Sequence, residues 1–235
     1  MRRFTDLYLK PPPNGEVQLQ MARLAGQLGY STVAVDFPPE ASVAEIDKVR
    51  ANFTGVGLDV ATRVSITPRS RRQLLESLRL LRGRFEVVAV NCVAAEAVNV
   101  AARDGRVDII SFRPHHPHVG FRQSTANICN AALEIVLSWI VGAPASLRGR
   151  VIGGVARHIS VARSSRVPVL VSSGAENPFM LRAPRDMAAV AASVLGVDVD
   201  EALDFTSTVP NSIVDRNRAR MKPQYIGNGV RVVGG

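Results

Sequence analysis

The stretch Val167-Pro168-Val169-Leu170-Val171-Ser172-Ser173-Gly174, followed by Leu181-Arg182-Ala183-Pro184-Arg185-Asp186, decides how this chain folds. Four apolar residues close together, bounded by turn formers, predict a strand buried on both faces, the kind that parallel sheets use. The strand runs into Ser-Ser-Gly, whose small side chains leave backbone amides open. Pro184 suits the first turn of a helix, where a missing N–H costs nothing, and Asp186 complements the helix dipole. Met187, Val190, Ala191, Val194 and Leu195 recur at helical spacing, and Gly196 stands where the helix should stop. This is one strand–loop–helix unit.

The remaining chain varies that unit. Strands are predicted at Phe4–Leu9, Thr32–Phe37, Val56–Ile66, Phe85–Val90, Val107–Phe112, Ala131–Ser138 and from Val167. Between them lie helical patterns: Val17 to Leu28, a weak one over Val43–Arg50, one capped by Thr67-Pro68 with Leu74, Leu75, Leu78 and Leu81, then Ala94–Arg103 and Leu147–Ile159. Two helices, Val199–Thr206 and Pro210–Arg220, end the ordered pattern. Strands alternating with helices argue for parallel β with crossover helices, and no Gly-x-Gly-x-x-Gly turn follows any strand. The expectation is an α/β TIM-barrel-like (β/α) barrel of about seven to eight parallel strands, an eighth being invisible. Residues 1–221 read as a single domain and 222–235 as a C-terminal tail that needs something to hold it.

Composition narrows the function. The chain has 235 residues, is 46% hydrophobic but only 5% aromatic, and carries a formal charge of +9, so the core must be aliphatic and the surface basic. Arginine outnumbers lysine 26 to 3. Guanidinium pairs with phosphate bidentately, so such a surface suits RNA, although a genome rich in G and C also inflates arginine. Cys92 and Cys129 have no pairing or metal spacing, and the start has no apolar signal region. Glu134, Gly142 and Pro144 break the longest apolar region. A soluble, cytoplasmic protein with no membrane partner is expected.

In a barrel, chemistry belongs at the C-terminal strand ends. Those ends offer Tyr8, Lys10, Asp36, Asp59, Asn91, Cys92, Ser111, Arg113, Ser138, Ser172 and Ser173, a list without histidine. Asp6, Asp36 and Glu134 are placed to meet inside the barrel, as structural ion pairs or hydrogen-bonded carboxylates before metal ligands. Arg113-Pro114-His115-His116-Pro117-His118 holds three of the four histidines. With no acid or cysteine nearby to complete a shell, this reads as a solvated loop or as contact with RNA or a partner through His115, His116 and His118. No catalytic residue and no metal ligand is assigned.

The arginines say more as a set. Arg69, Arg71 and Arg72 open a helix just after a strand, Arg113 follows a strand, and Arg182 and Arg185 flank Pro184. Cations near helix starts oppose the dipole, which points to a partner such as phosphate. These six are the candidate RNA-binding residues. Arg216, Arg218 and Arg220 on the last helix are candidate contacts to RNA or a partner. No RNA-recognition, KH or OB motif occurs, so binding should follow backbone and shape.

Val167–Ala175, Leu181–Asp186 and Pro210-Asn211-Ser212-Ile213-Val214-Asp215-Arg216-Asn217, supported by Ala132-Leu133-Glu134-Ile135 and Val107–Phe112, resemble the family of archaeal ribonuclease P protein component 3. The resemblance spans about residues 1 to 220 and is weakest between Ala41 and Thr54. It implies a barrel related to the polymerase-and-histidinol-phosphatase (PHP) metal phosphoesterases, without their working metal site. Where those enzymes open with a His-x-His pair, this chain reads Asp6-Leu7-Tyr8-Leu9-Lys10. It implies a non-catalytic subunit of an endoribonuclease complex, ribonuclease P, in which RNA removes the 5′ leader of precursor tRNA. The implied partners are ribonuclease P RNA, protein component 2 (ferredoxin-like, in a heterotetramer) and further ribonuclease P proteins. No cofactor is expected on this chain, while Mg²⁺ is expected on the RNA. The competing reading is a stand-alone PHP-type metal-dependent phosphoesterase using Asp6, Asp36, Glu134 and the His115 loop.

Overall fold

Seven parallel strands follow one another around a single sheet in chain order: β1 (Phe4–Leu9), β2 (Tyr30–Phe37), β3 (Asp59–Ile66), β4 (Val87–Cys92), β5 (Ile109–Phe112), β6 (Ala132–Val136) and β7 (Val169–Ser172). The computed structural model describes residues 2–113 and 119–222 and the backbone of 225–227 and 230–231. The intervening helices are α1 (Gly15–Gln27), α2 (Val43–Thr54), α3 (Arg71–Leu81), α4 (Ala95–Arg103), α5 (Gln123–Ala126), α6 (Leu137–Val141) and α7 (Ala145–Ser164). After β7 come α8 (Pro184–Leu195), α9 (Val199–Asp204) and α10 (Thr208–Arg220). Two short strands, β8 (Tyr225–Gly227) and β9 (Val230–Arg231), pair antiparallel with each other and stay outside the barrel sheet.

The predicted barrel forms, and its departures from the predicted boundaries have local causes. The α3 helix starts at Arg71 rather than at Pro68, because the Ser70 hydroxyl is the N-cap and accepts from Gln73 N at 3.2 Å. The sixth strand stops at Val136, and Leu137 begins a helix that an unbroken apolar run cannot announce. The third strand begins only at Asp59, after α2 has run on to Thr54. The α8 helix matches its prediction, with Pro184 in its first turn and Gly196 left-handed at φ 69°.

Among the described residues no eighth strand closes the barrel. Between β7 and β1, Val171 N donates to Phe205 O at 3.0 Å and Thr5 N to Thr206 O at 2.9 Å, so the α9–α10 corner does the work of a strand. Towards the C-terminal end, Leu9 bridges Ala175 directly, and Lys10 N donates to Ala175 O at 2.9 Å. The backbone donors of Val171, Thr5 and Lys10 thereby find acceptors across the seam.

Alternation decides what enters the barrel. Ala34, Ala61, Ala89 and Ala132 point inward beside Leu7, Val87, Ile109 and Leu170. The small side chains leave room for Ile213 and Val214 of α10, which plug the N-terminal end. The alternate residues, such as Val33, Val64, Val88, Ile110 and Leu133, face out and pack under helices, including Leu74 and Leu78 of α3.

Candidate functional site

The mouth of the barrel, at the C-terminal strand ends, is filled by Arg63. Its position follows from alternation along β3, where Ala61, Arg63 and Ser65 share the inward face. The side chain is fully buried. Two guanidinium nitrogens donate to the two Glu134 oxygens at 2.6 and 2.7 Å, a third bond reaches Leu7 O at 2.8 Å, and Nε donates to Ser65 Oγ at 3.1 Å. Asp36 lies 3.8 Å away, and the guanidinium stacks over the Tyr8 ring at 4.0 Å. Ser172 Oγ donates to Glu134 at 2.7 Å. Burial alone would lower the Arg63 pKa, but the charge and hydrogen bonds of Glu134 outweigh it and raise the value, so the group stays protonated.

The carboxylates expected to meet here do so as ion-pair and hydrogen-bond partners. Asp6 accepts from Tyr8 N at 3.0 Å and from Ser173 N at 3.2 Å, which bulges β1 and ties it to β7. Burial pushes its pKa up to about 6, with the Ser173 and Tyr8 bonds offsetting part of the rise. Burial likewise raises Asp36, against the opposing charge of Arg63, and pushes Tyr8 up to about 12. A divalent ion does not fit this donor set, because a guanidinium already stands between Asp36 and Glu134 and uses both Glu134 oxygens. Among the described residues, no group of three or more His, Cys, Asp or Glu is arranged to hold a metal.

Histidine adds nothing to the mouth among the described residues. His158, half-buried beside Phe112, accepts from Phe121 N at 3.2 Å, and desolvation holds its pKa down to about 4. His115, His116 and His118 lie outside the described residues.

The six arginines singled out for RNA do not form one cluster. Arg69, Arg71 and Arg72 are exposed between the end of β3 and the first turn of α3, Arg72 pairing with Glu76 at 2.7 Å. Arg113, just past β5, lies 5.0 Å over the Trp139 ring. Arg182 and Arg185 sit by the starts of β1 and β2: Tyr30 Oη donates to Arg182 O, and the Arg185 guanidinium lies 5.5 Å from the Phe4 ring. Arg182 also folds back on its own loop, donating to Phe179 O and Leu181 O at 2.7 Å each.

The arginines of α10 are engaged at the barrel floor. Arg218 donates to Asp59 at 2.7 Å and Glu86 at 2.6 Å, while Arg216 reaches Asp108 at 3.1 Å, a carboxylate it shares with Arg82. Asn217 donates to Glu86 O at 2.8 Å. Burial raises the Asp59 pKa, but the Arg218 bonds overcome this and leave it below the usual range. Arg220 has no acidic partner among the described residues.

Fold and site together define a class: a parallel α/β barrel plugged by a helix at one end and by an internal arginine–carboxylate cluster at the other. The family model described as RNase P subunit p30 matches residues 3–222, and the chain belongs to that family. It is 31% identical to ribonuclease P protein component 3 of Methanosarcina acetivorans, over 99% of this chain and 97% of that one. The fold is similar to a chain in the cryo-EM structure of archaeal ribonuclease P with mature tRNA, at TM-score 0.85 and 18% identity over 98% of both chains. It is also similar, in fold alone, to an amidohydrolase from Mycoplasma synoviae, at TM-score 0.56 and 11% identity over 90% of this chain and 87% of that one. No helix among the described residues is long and apolar enough to cross a membrane.

Proposed function

We propose that this chain is a non-catalytic protein subunit of ribonuclease P, supporting an RNA that removes the 5′ leader of precursor tRNA. The observation that carries the reading is the family match across residues 3–222. The mouth agrees with it: a buried Arg63–Glu134 pair takes the place a metal-dependent phosphoesterase needs for its ions. Nothing in the donor set favours the stand-alone phosphoesterase.

The subunit acts by charge and rigidity. Exposed arginines neutralise phosphate repulsion and release counterions, while the closed barrel holds them in fixed positions. Arg69, Arg71, Arg72 and Arg113 are the first RNA contacts, with Arg182 and Arg185 on a separate patch. The chain pairs with a ferredoxin-like component 2 in a heterotetramer, works in the cytoplasm, and leaves Mg²⁺ to the RNA. Affinity purification from the organism's own cells tests this. Recovery of ribonuclease P RNA with a small ferredoxin-like protein supports it, and recovery of neither overturns it.

A further inference from the structure

Between Ile109 and Ala175 the sequence carries seven arginines and one acid, Glu134. That acid is buried and bound to Arg63, so this sector presents no carboxylate to solvent. Residues 11–55, which build α1, β2 and α2, carry three basic residues against four acids outside the barrel, Glu16, Glu40, Glu45 and Asp47, a fifth, Asp36, lying in the mouth. In a seven-stranded barrel, β2 and β6 lie on different sides, so the exterior is electrostatically two-faced. Polyanions are drawn to the basic face, while the other, with nearly balanced charge, offers them little.

The twenty-residue helix α7 lies in the basic sector and contains no acid at all. Its exposed Arg150 and Arg157 are seven positions apart on one face, with Gly153 and Gly154 between them. Neither arginine has an acidic partner among the described residues, whereas Arg163 at the far end pairs with Glu201 at 2.9 Å. The glycines are not required by packing within the chain. A Cβ at Gly153 or Gly154 would meet only the Arg157 guanidinium, at ordinary distances of 3.8 and 3.9 Å. Glycine in a helix interior is destabilising, so keeping two side by side costs the fold and leaves a low surface over which the Arg157 guanidinium lies.

We propose that the RNA sugar–phosphate backbone lies along this face of α7, with Arg150 and Arg157 on its phosphates and Gly153 and Gly154 admitting it close to the helix. The assignment rests on the ribonucleoprotein reading and adds a further face to the contacts named there. It differs from the six arginines chosen by sequence, none of which lies on α7.

The test titrates ribonuclease P RNA with the full chain, in complex with the proteins that co-purify with it, over a range of salt. The double variant Arg150→Gln/Arg157→Gln should lose at least tenfold in affinity at low salt. Its log–log salt slope should fall by about two, one per phosphate contact. Arg23→Gln/Lys48→Gln, on the acidic sector, should match wild type. Gly153→Ala/Gly154→Ala should raise the melting temperature yet weaken binding, a combination that a purely structural helix would not give. Wild-type affinity and slope in the α7 double variant would overturn the face while leaving the ribonucleoprotein reading intact. A wild-type complex without salt-dependent affinity would instead remove that reading. Loss of a protein subunit with RNA affinity unchanged would mean that an acidic protein covers α7, and would also overturn the proposal.

Discussion

The two ends of the barrel use the same chemistry to opposite effect. At the mouth, Arg63 comes from a strand, is fully buried, and binds Glu134 with both arms. At the floor, Arg216 and Arg218 come from a helix laid across the end, remain part-exposed, and bind three carboxylates at the strand starts. A buried pair is expensive to desolvate and tolerates no missing partner, whereas a part-exposed network is screened by solvent and salt. The mouth therefore behaves as a permanent plug and the floor as a clasp. Asp36 and Glu134 at one end and Asp59, Glu86 and Asp108 at the other already have cations, which leaves the outer arginines as the charge available to a partner.

The two ends should differ most at Arg63. Arg63→Ala should cost about 3–5 kcal/mol in urea unfolding, because it strands Glu134 without a cation. The double variant Arg63→Met/Glu134→Leu should recover most of that loss, since two apolar side chains need no partner. A single variant as stable as wild type would mean that water reaches the mouth.

Asp6 gives the next largest effect, and its sign is distinctive. Its folded pKa of about 6 lies above the ordinary carboxyl value, so folding favours the protonated form. That contribution is complete below about pH 4 and is lost as pH rises through 6. Asp6→Asn should therefore match wild type near pH 4 and exceed it at pH 7.5, by at most about 3 kcal/mol. Urea midpoints at the two pH values check this, and a variant less stable at pH 7.5 would contradict it.

Arg218→Ala at the floor should cost less, about 2 kcal/mol, through loss of its bonds to Asp59 and Glu86. Its cost should shrink in 1 M salt while that of Arg63→Ala should not, which separates clasp from plug. The smallest effect on stability belongs to the exposed set. Arg71→Gln should leave the melting temperature unchanged, within about 0.5 kcal/mol, while weakening RNA binding at low salt and lowering its salt slope.

Much of this barrel was legible because strand alternation and helix caps are local signals. The run Val169–Val171 and Pro184 with Gly196 announced β7 and α8 almost to the residue. The closure at Phe205 and Thr206 was not, since two carbonyls replacing a strand leave no periodicity in the sequence. The carboxylate meeting was foreseen, but its cation was missed. An arginine at the inward position of β3, between Ala61 and Ser65, was the available signal: a charge on the inward face of a strand must find a buried partner. Arg216 and Arg218 looked like free cations on a helix, because their acids Asp59, Glu86 and Asp108 lie far away in the chain.

The central claim, that this chain supports catalysis by RNA without cutting anything itself, is tested most directly by precursor-tRNA cleavage measured against Mg²⁺ concentration. Each component should be present alone and in combination. No 5′-leader release by the protein without RNA is expected, and the Mg²⁺ requirement should fall when the chain and its protein partner join the RNA. Leader release by the RNA-free protein, abolished by changing Asp36 or Glu134, would contradict it.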